Sequence, residues 1–453
     1  MSVNLGLTTS SASSGNGIDV TAVVDQILES KRGPEKIWQS QIDTLTLRSS
    51  ALSSLNTSIS TLSSALNSLK DVLGALTAKV VSSSQPTIVI ATADTTAPTG
   101  NHSITVTSLA TTSSYYTDPI DGSKPLATGT LSLKVGTADS VDIPIDEAHG
   151  STTLSGLVSY INGENLGVSA SAIHDANGDR LALVSQTTGT VGDLVVSSDI
   201  PSLRFTKVAG ANAELTVDGV PISSSSNSVT GVLPGVTMNL MSASPGTQVQ
   251  LNVGPDIEQA KNAVNAFASA YNAVISAINA QYAVDPNTNT AGALASDDTL
   301  RSIQSTILSN VTYSIKGNNG ITGLASIGVN MNDDGTLEVD DSKLSDILNN
   351  HFVDFQNFFQ AADTGYANQF SSALQSLTDS TDGMISLDLT GMKNTQAMLQ
   401  QQITDLEDRL AVQQVQLIDE YSRIDTALRT YPTLLQQVTS QLASIPTFDF
   451  TAS

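Results

Sequence analysis

Two apolar seams, one near each end of the chain, constrain its fold more than any other feature. Apolar residues at steps of three and four place their side chains on one face of a helix. The N-terminal seam comprises Leu45, Leu52, Leu55, Ile59, Leu62, Leu66, Leu69, Leu73 and Leu76. The C-terminal seam comprises Ile403, Leu406, Leu410, Leu417, Tyr421, Ile424, Leu428, Tyr431, Leu435, Val438 and Leu442. Because most of the chain separates the seams, we predict that the termini come together as one helical stalk.

A lone helix with such a stripe is not expected to persist in water. Burying a leucine side chain contributes about 1.5–3 kcal/mol, whereas fixing the backbone costs about 1–2 kcal/mol for every residue, and most residues lie outside the seam. Isolated helices are therefore marginal without packing partners. The C-terminal seam is the first candidate partner for the N-terminal seam, and other subunits are the second. The alternative is an ordinary helical hairpin within a globular core.

Composition excludes several classes of protein. A length of 453 residues suggests about three domains. The net charge of −24 argues against binding to nucleic acid and to anionic membrane surfaces. The chain has no cysteine, which excludes disulfides, thiolate catalysis and cysteine-based metal sites. No apolar run is long enough to span a membrane, and no apolar segment follows Met1. We therefore expect either a cytoplasmic protein or one exported without a cleaved signal.

The seams continue into predicted helices with recognisable ends. Asp19 or Thr21 is positioned to cap a short helix that runs to about Lys31, where Gly33-Pro34 interrupts it. A long helix is predicted from about Glu35 to about Ala78. The C-terminal helix is predicted to begin near Met392, with Pro432 bending or interrupting it.

Between the seams, short segments with alternating apolar or β-branched residues indicate strands. Asp218-Gly219 and Asp334-Gly335 are typical of hairpin turns. The predicted class is α+β and multidomain, with long coiled-coil-like terminal helices forming a stalk and with inserted β-rich head domains. The predicted parts are an N-terminal arm without structure until assembly (1–41), the N-terminal half of the stalk (42–80), a β-rich head domain (81–125 and 200–255), an inserted β-rich head domain (126–199), a helical leg domain with a β-hairpin (256–391), and the C-terminal long helix with a terminal arm (392–453).

No pattern in the sequence favours a catalytic or metal site, and we expect no cofactor. The four histidines, His102, His149, His174 and His351, are far apart and are interpreted as loop or surface residues. Asn330, Asn332, Asp334, Gly335 and Asp341 have the spacing of a calcium-binding loop, but the final glutamate is missing. Because strand-like segments flank this motif, a hairpin turn is the favoured interpretation.

Several motifs, taken in order, resemble one family. They are the tripeptide GID at Gly17–Asp19, ITVTSLA at Ile104–Ala110, the segment Thr153–Gly189 with Ile161-Asn162, the segment Leu215–Leu240, Tyr271-Asn272, and LASIGVNMNDDGTLEVDDSKL. Over essentially its full length the chain is similar to the bacterial flagellar filament-capping family, also called flagellar hook-associated protein 2. The segment with Ile161-Asn162 resembles the "IN" motif of flagellins and hook-associated proteins, which places that motif in the inserted domain.

The resemblance implies a structural role at the distal end of the flagellar filament. A protein of this family retains exported flagellin there and promotes its folding and polymerisation. The resemblance also implies export through the flagellar type III channel without a signal peptide, an extracellular location, and a homo-oligomer, by default a pentamer. Implied partners are flagellin, hook-associated junction proteins and a flagellar export chaperone.

The resemblance also suggests roles for the seam and arm residues. Seam packing and oligomerisation are assigned to Leu45, Leu52, Leu55, Ile59, Leu62, Leu66, Leu69, Leu406, Leu410, Leu417, Tyr421, Ile424 and Leu428. Contact with the filament is assigned to arm residues Ile18, Val23, Ile27, Leu435, Val438 and Leu442.

Three other functions compete with a filament cap. A hook–filament junction protein or a flagellin would be present in a copy number near one per subunit along the shaft. An adhesin would bind host glycan or mucin through its β-rich head. A glycan hydrolase would need a cleft with converging acids.

Overall fold

The computed structural model describes residues 17–287 and 289–444 and has the predicted α+β class. The chain divides into two compact units. The first comprises Met1–Leu66, Ala266–Asp340 and Ala361–Ser453, and the second comprises Asn67–Asn265 and Asp341–Gln360. The helices are α1 (Val20–Lys31), α2 (Gly33–Lys70), α3 (Leu154–Gly163), α4 (Ile257–Tyr282), α5 (Asp298–Val311), α6 (Asp341–Asn350), α7 (Phe352–Gln360), α8 (Tyr366–Thr378) and α9 (Met384–Ala443).

The strands are short and pair in antiparallel fashion. They are β1 (Lys79–Ser83), β2 (Val89–Ala93), β3 (Gly100–Ser108), β4 (Thr112–Thr117), β5 (Gly129–Val135), β6 (Val141–Ile145), β7 (Val168–Asp175), β8 (Gly178–Thr188), β9 (Leu194–Ser198), β10 (Phe205–Val208), β11 (Ala213–Val217), β12 (Val220–Ser224), β13 (Ser228–Val229), β14 (Val236–Leu240), β15 (Val249–Pro255), β16 (Val284–Asp285), β17 (Thr290–Ala291), β18 (Val329–Met331) and β19 (Leu337–Val339).

In the first unit, α8 packs against aromatic residues of α4, and α5 contacts α8 and α9. The ring of Phe267 lies 6.2 Å from the rings of both Tyr366 and Phe370, and these edge-on contacts are the favoured arrangement for aromatic rings. The seam residues of α2 that belong to this unit are fully buried from Leu52 to Leu66. Arg48 of α2 forms an ion pair with Asp297, the residue that caps the N-terminus of α5.

The prediction that the long helix reaches Ala78 is wrong. Helix α2 ends at Lys70, and the chain then turns so that the Ala75 N–H donates to the Ser68 carbonyl at 2.9 Å. A Cβ on Gly74 would lie only 2.4 Å from that carbonyl oxygen, so the turn requires glycine at this position. As a result Leu73, which was assigned to the seam, lies in the turn and is 78% exposed. Leu76 follows the turn and is buried.

The second unit contains two β-rich cores. One core lies between the sheet β1-β15-β3-β11-β12 and the sheet β13-β14-β2. The other is formed by the sheets β10-β4-β8-β7 and β6-β5-β9 with α3. Strands β4 and β10, which lie on either side of the predicted inserted domain (126–199), pair with each other, and β4 also pairs with β8.

Both predicted hairpin turns are confirmed. Asp218 and Gly219 have positive φ angles of 51° and 83° between the paired residues Val217 and Val220, as a two-residue hairpin requires. Gly335, with φ of 84°, lies in the turn between β18 and β19, so the calcium-like motif forms a hairpin. Helix α9 continues through Pro432, so of the two predicted effects of this proline the interruption is wrong and the bend stays a prediction.

Candidate assembly surface

Helix α1 and the residues at its two ends pack antiparallel to α9. The Ile18 N–H donates to Asp425 at 2.8 Å, Lys31 donates to Gln413, and Arg32 binds Glu407. As residue numbers rise along α1, their partners on α9 fall, which fixes the antiparallel direction. The apolar part of this contact consists of buried Val24, Leu28 and Leu410, with Val20, Leu406, Leu417 and Tyr421 packed beside them.

The tripeptide Gly17–Asp19 anchors α1 in three ways. A Cβ on Gly17 would lie 2.6 Å from the Arg429 guanidinium, so a larger residue here would force the end of the Arg429 side chain to move. The backbone N–H of Ile18 binds the Asp425 carboxylate. The Asp19 side chain accepts from the Ala22 N–H and caps α1, which confirms the predicted cap.

Asp425 is held as a carboxylate by this arrangement. Hydrogen bonds from Arg429 at 2.6 Å and from the Ile18 N–H keep the pKa of Asp425 below its ordinary value. The ionised form is therefore the one that accepts both bonds. This carboxylate connects the start of the described chain to α9.

Arg32, between α1 and α2, contacts three carboxylates from three helices. Its guanidinium lies 2.7 Å from a Glu407 oxygen of α9, 3.4 Å from Glu35 of α2 and 4.0 Å from Glu29 of α1. A hydrogen bond with Glu407 raises the pKa of Glu35, and Arg32 only partly opposes this shift. Three carboxylates therefore surround the single guanidinium of Arg32 where α1 meets α2.

The predicted pairing of the two seams is corrected by the contacts of α2. Gln396 donates to the Thr46 hydroxyl, so α2 passes α9 near residue 396, before the C-terminal seam begins at Ile403. Leu45 is half-buried at this level. Because α2 begins at Gly33, it is too short to reach the rest of the C-terminal seam, and α1 covers Leu406 to Tyr421 instead.

Exposure divides the predicted site residues into three sets. The seam residues Leu52, Leu55, Ile59, Leu62, Leu66 and Leu69 are buried in the single chain. The arm residues Ile18, Val23 and Ile27 are half-buried beside α9. The seam residues Leu45, Leu406, Leu417 and Tyr421 are also half-buried and Leu410 is buried, whereas Ile424, Leu428, Leu435, Val438 and Leu442 are exposed on the last part of α9. Helix α9 thus has one stretch of the seam covered by α1 and one stretch uncovered.

Sequence reasoning missed a structural role shared by three motifs. Asn162, Asn227 and Asn272 each exchange two hydrogen bonds with the backbone of one distant residue, which is Ala170, Ala110 and Leu337 respectively. The contacts of Asn227 and Asn272 each join two of the segments that resemble the family, and the contact of Asn162 joins two parts of one such segment. The spacing of residues in the sequence does not reveal which backbone groups each asparagine binds. Only the motif resemblance indicated these positions.

The described residues contain no group of three or more side chains suited to holding a metal ion. Each histidine lies beside an aspartate, for example His102 at 2.8 Å from Asp218. No helix in the described part of the chain is both long enough and apolar enough to cross a membrane.

Three family models match the chain. Residues 16–113 match the flagellar hook-associated protein 2 N-terminus, and residues 210–432 match the flagellar hook-associated protein 2 C-terminus. Residues 130–187 match the flagellin hook IN motif, which begins earlier than the segment identified from the sequence.

Characterised relatives and a solved structure are similar over most of the chain. The B-type flagellar hook-associated protein 2 of Pseudomonas aeruginosa is 31% identical over 82% of this chain and 84% of its own length. The flagellar hook-associated protein 2 of Escherichia coli K12 is 28% identical over 95% of this chain and 97% of its own. The crystal structure of the D1-D2-D3 domains of the Escherichia coli flagellar cap protein FliD covers 76% of this chain and 99% of that chain, with 29% identity and a TM-score of 0.59.

Proposed function

Because the chain belongs to the flagellar hook-associated protein 2 family, we propose that it caps the distal end of a bacterial flagellar filament. In this role it retains exported flagellin and promotes its folding and polymerisation as the filament grows. The observation that carries the proposal is α9, which presents a long apolar stripe that α1 covers only as far as Asp425. Exposed apolar surface of this extent marks a site of contact with other protein.

Contact with the filament is assigned to both arms. Ile18, Val23 and Ile27 lie half-buried at the α1–α9 contact, and Leu435, Val438 and Leu442 lie exposed further along α9. Both groups flank Asp425, so a filament subunit that displaces or extends α1 meets one continuous apolar surface. The N-terminal arm is proposed to complete its ordering on assembly; its residues 1–16 lie outside the described part of the chain.

Partners and location follow from the same role. The protein acts as a homo-oligomer, with a pentamer as the default stoichiometry, and contacts flagellin, the hook-associated junction proteins and an export chaperone. It leaves the cell through the flagellar type III export route and functions outside the cell at the filament tip. Its role is structural and not catalytic.

Immunogold electron microscopy of native filaments tests this proposal. Antibody against the protein is expected to label one end of each filament and to leave the shaft unlabelled. Adding back the Leu435→Asp variant to cells that lack the gene should reduce end labelling, because a charge enters the apolar stripe. Ser440→Asp introduces the same charge on a polar, exposed part of the same helix and should label ends normally. Labelling along the whole shaft would instead support a junction protein or a flagellin.

A further inference from the structure

A groove runs between the start of α2 and the part of α9 that passes it. We call it the α2–α9 groove; it encloses about 440 Å³ and is lined by Ser40, Gln41, Thr44 and Leu45 of α2 and by Thr395, Met398 and Leu399 of α9. These lining side chains are uncharged. Leu399 is only 7% exposed, whereas Met398 is 55% exposed. The groove thus combines a buried apolar base with an accessible apolar side.

The groove continues the site in which α5 already packs. Ile37, Gln41, Thr44 and Arg48 recur at steps of four and three, so they lie on one face of α2. Arg48, at the end of this row, pairs with Asp297, which caps α5, and α5 also contacts α9. Helix α5 therefore bridges α2 and α9 from Arg48 onwards. The α2–α9 groove extends the same site towards the start of α2.

The dimensions and the side chains of the groove fit an amphipathic helix. Two helices that pack side by side leave a groove into which a third helix inserts apolar side chains spaced by three and four residues. Ile37, one turn before Gln41, is 62% exposed and lengthens the apolar surface. From Ile37 to Arg48 the face is about 16 Å long, which accommodates three turns of helix. Met398 adds a flexible side chain of the kind that adapts to a bound helix.

We propose that the α2–α9 groove holds an amphipathic helix of flagellin. This inference rests on the proposed function, in which flagellin is the protein that the cap retains. Along α9 the groove comes directly before Leu406 to Tyr421, where α1 packs, so one flagellin subunit can contact the groove and the assigned filament contacts together. A second copy of this chain is disfavoured as the occupant, because each copy carries a net charge of −24.

Two matched arginine substitutions test the groove. Thr395→Arg places a long charged side chain in the groove, and Thr404→Arg places the same side chain at an exposed position of α9 outside the lining. Both threonine hydroxyls donate to the carbonyl four residues earlier, so the two substitutions remove equivalent contacts. Binding of the full-length protein to purified monomeric flagellin should weaken at least about tenfold for Thr395→Arg, because an unpaired guanidinium is costly to bury, and should not change for Thr404→Arg. Circular dichroism checks that both variants retain helix.

Photocrosslinking in growing cells identifies the occupant directly. A photoreactive phenylalanine analogue is placed either at Met398, in the groove, or at Thr404, outside it, in cells that lack the natural gene. Illumination should join the chain to flagellin from position 398 and not from position 404. An adduct of position 398 with a second copy of this chain, or with a protein other than flagellin, would overturn the inference.

Filament growth in the same cells separates this inference from the proposed function. If filaments reach normal length and position 398 gives no adduct, the groove does not hold flagellin, although the cap stands. Equal weakening of flagellin binding by Thr395→Arg and Thr404→Arg would likewise overturn the inference. If the wild-type gene does not restore filaments to cells that lack it, the proposed function fails, and the inference fails with it.

Discussion

The side-chain amide of Asn272, on α4, forms two hydrogen bonds with the backbone of Leu337, on β19. The amide NH₂ donates to the Leu337 carbonyl at 2.8 Å, and the amide oxygen accepts from the Leu337 N–H at 2.6 Å. A carboxamide has the same donor and acceptor as a neighbouring strand would offer, so it completes the hydrogen bonding of an unpaired backbone edge. Asn162 with Ala170 and Asn227 with Ala110 repeat this geometry.

Replacing Asn272 should therefore loosen the β18–β19 hairpin. Asn272→Ala removes both hydrogen bonds and leaves a partly buried N–H and carbonyl without partners, so we expect the free energy of unfolding to fall by about 2–3 kcal/mol. Asn279→Ala is the control, because Asn279 makes one exposed hydrogen bond to the Asp334 carbonyl and should cost less than about 1 kcal/mol. Urea unfolding measures both, and equal losses would contradict the role of the double contact.

Gly17 should control how tightly the N-terminal segment docks on α9. The methyl group of Gly17→Ala overlaps with the side-chain ends of Arg429 and Asp425, and moving them should weaken the Ile18–Asp425 hydrogen bond. Hydrogen exchange of the Ile18 amide should then be roughly fivefold faster. Gly33→Ala is the matched control, since nothing lies within 4 Å of its added Cβ. Unchanged exchange in Gly17→Ala would mean that the anchor does not depend on close approach.

The ion pair between Arg48 and Asp297 should contribute stability only while Asp297 is ionised. Burial disfavours the Asp297 carboxylate, but hydrogen bonds from Arg48 and the Thr299 N–H outweigh this and lower its pKa. A lowered pKa in the folded state means that the stability is present above the ordinary pKa of aspartate and is lost as the pH falls through the lowered value. Acid titration of the wild type should show this loss, and Asp297→Asn, which keeps the α5 cap, should not.

Removing only the arginine should be worse than removing both charges. Arg48→Met leaves the Asp297 carboxylate buried at 4% side-chain exposure without its ion-pair partner, and we expect a loss of about 2–3 kcal/mol, since Arg48 itself is partly exposed. Arg48→Met combined with Asp297→Asn should recover part of that loss. Thermal unfolding at neutral pH compares the two variants, and an additive result would show that the groups are not coupled.

The junction at Arg32 should respond to pH in the opposite direction. The hydrogen bond with Glu407 raises the pKa of Glu35 above its ordinary value, so its contribution to folding is present at low pH and is lost as the pH rises through the raised value. Packing of the start of α2 against α9 should therefore tighten on acidification. Glu35→Gln should abolish this dependence, whereas Asp43→Asn, at an exposed position on the same helix, should retain it. Trp38, the single tryptophan, lies one turn from Glu35 and reports the change by fluorescence.

Local signals in the sequence predicted the elements well. Asp19 before an apolar-periodic segment predicted the cap of α1, and Asp218-Gly219 and Asp334-Gly335 predicted their hairpins, because each depends on a few adjacent residues. The α2 seam predicted which leucines are buried as far as Leu69. The end of α2 was missed because the turn at Gly74 depends on contact with the Ser68 carbonyl, which heptad spacing does not report.

Pairing between distant segments could not be predicted in the same way. The C-terminal seam is equally compatible with α1 and α2, and only the helix lengths and the contact of Thr46 with Gln396 decide in favour of α1. The double hydrogen bonds of Asn162, Asn227 and Asn272 were likewise invisible, since an asparagine near a turn or in a helix carries no mark of its partner. Residues that join distant segments are thus the part of the fold that only a structure reveals.

The central claim is that the protein closes the growing end of the filament. Its most direct test is electron microscopy of cells that lack the gene, combined with an assay of flagellin in the growth medium. The cap predicts short or absent filaments and monomeric flagellin released into the medium, with both restored by the wild-type gene. Filaments of normal length with no released flagellin would contradict the claim.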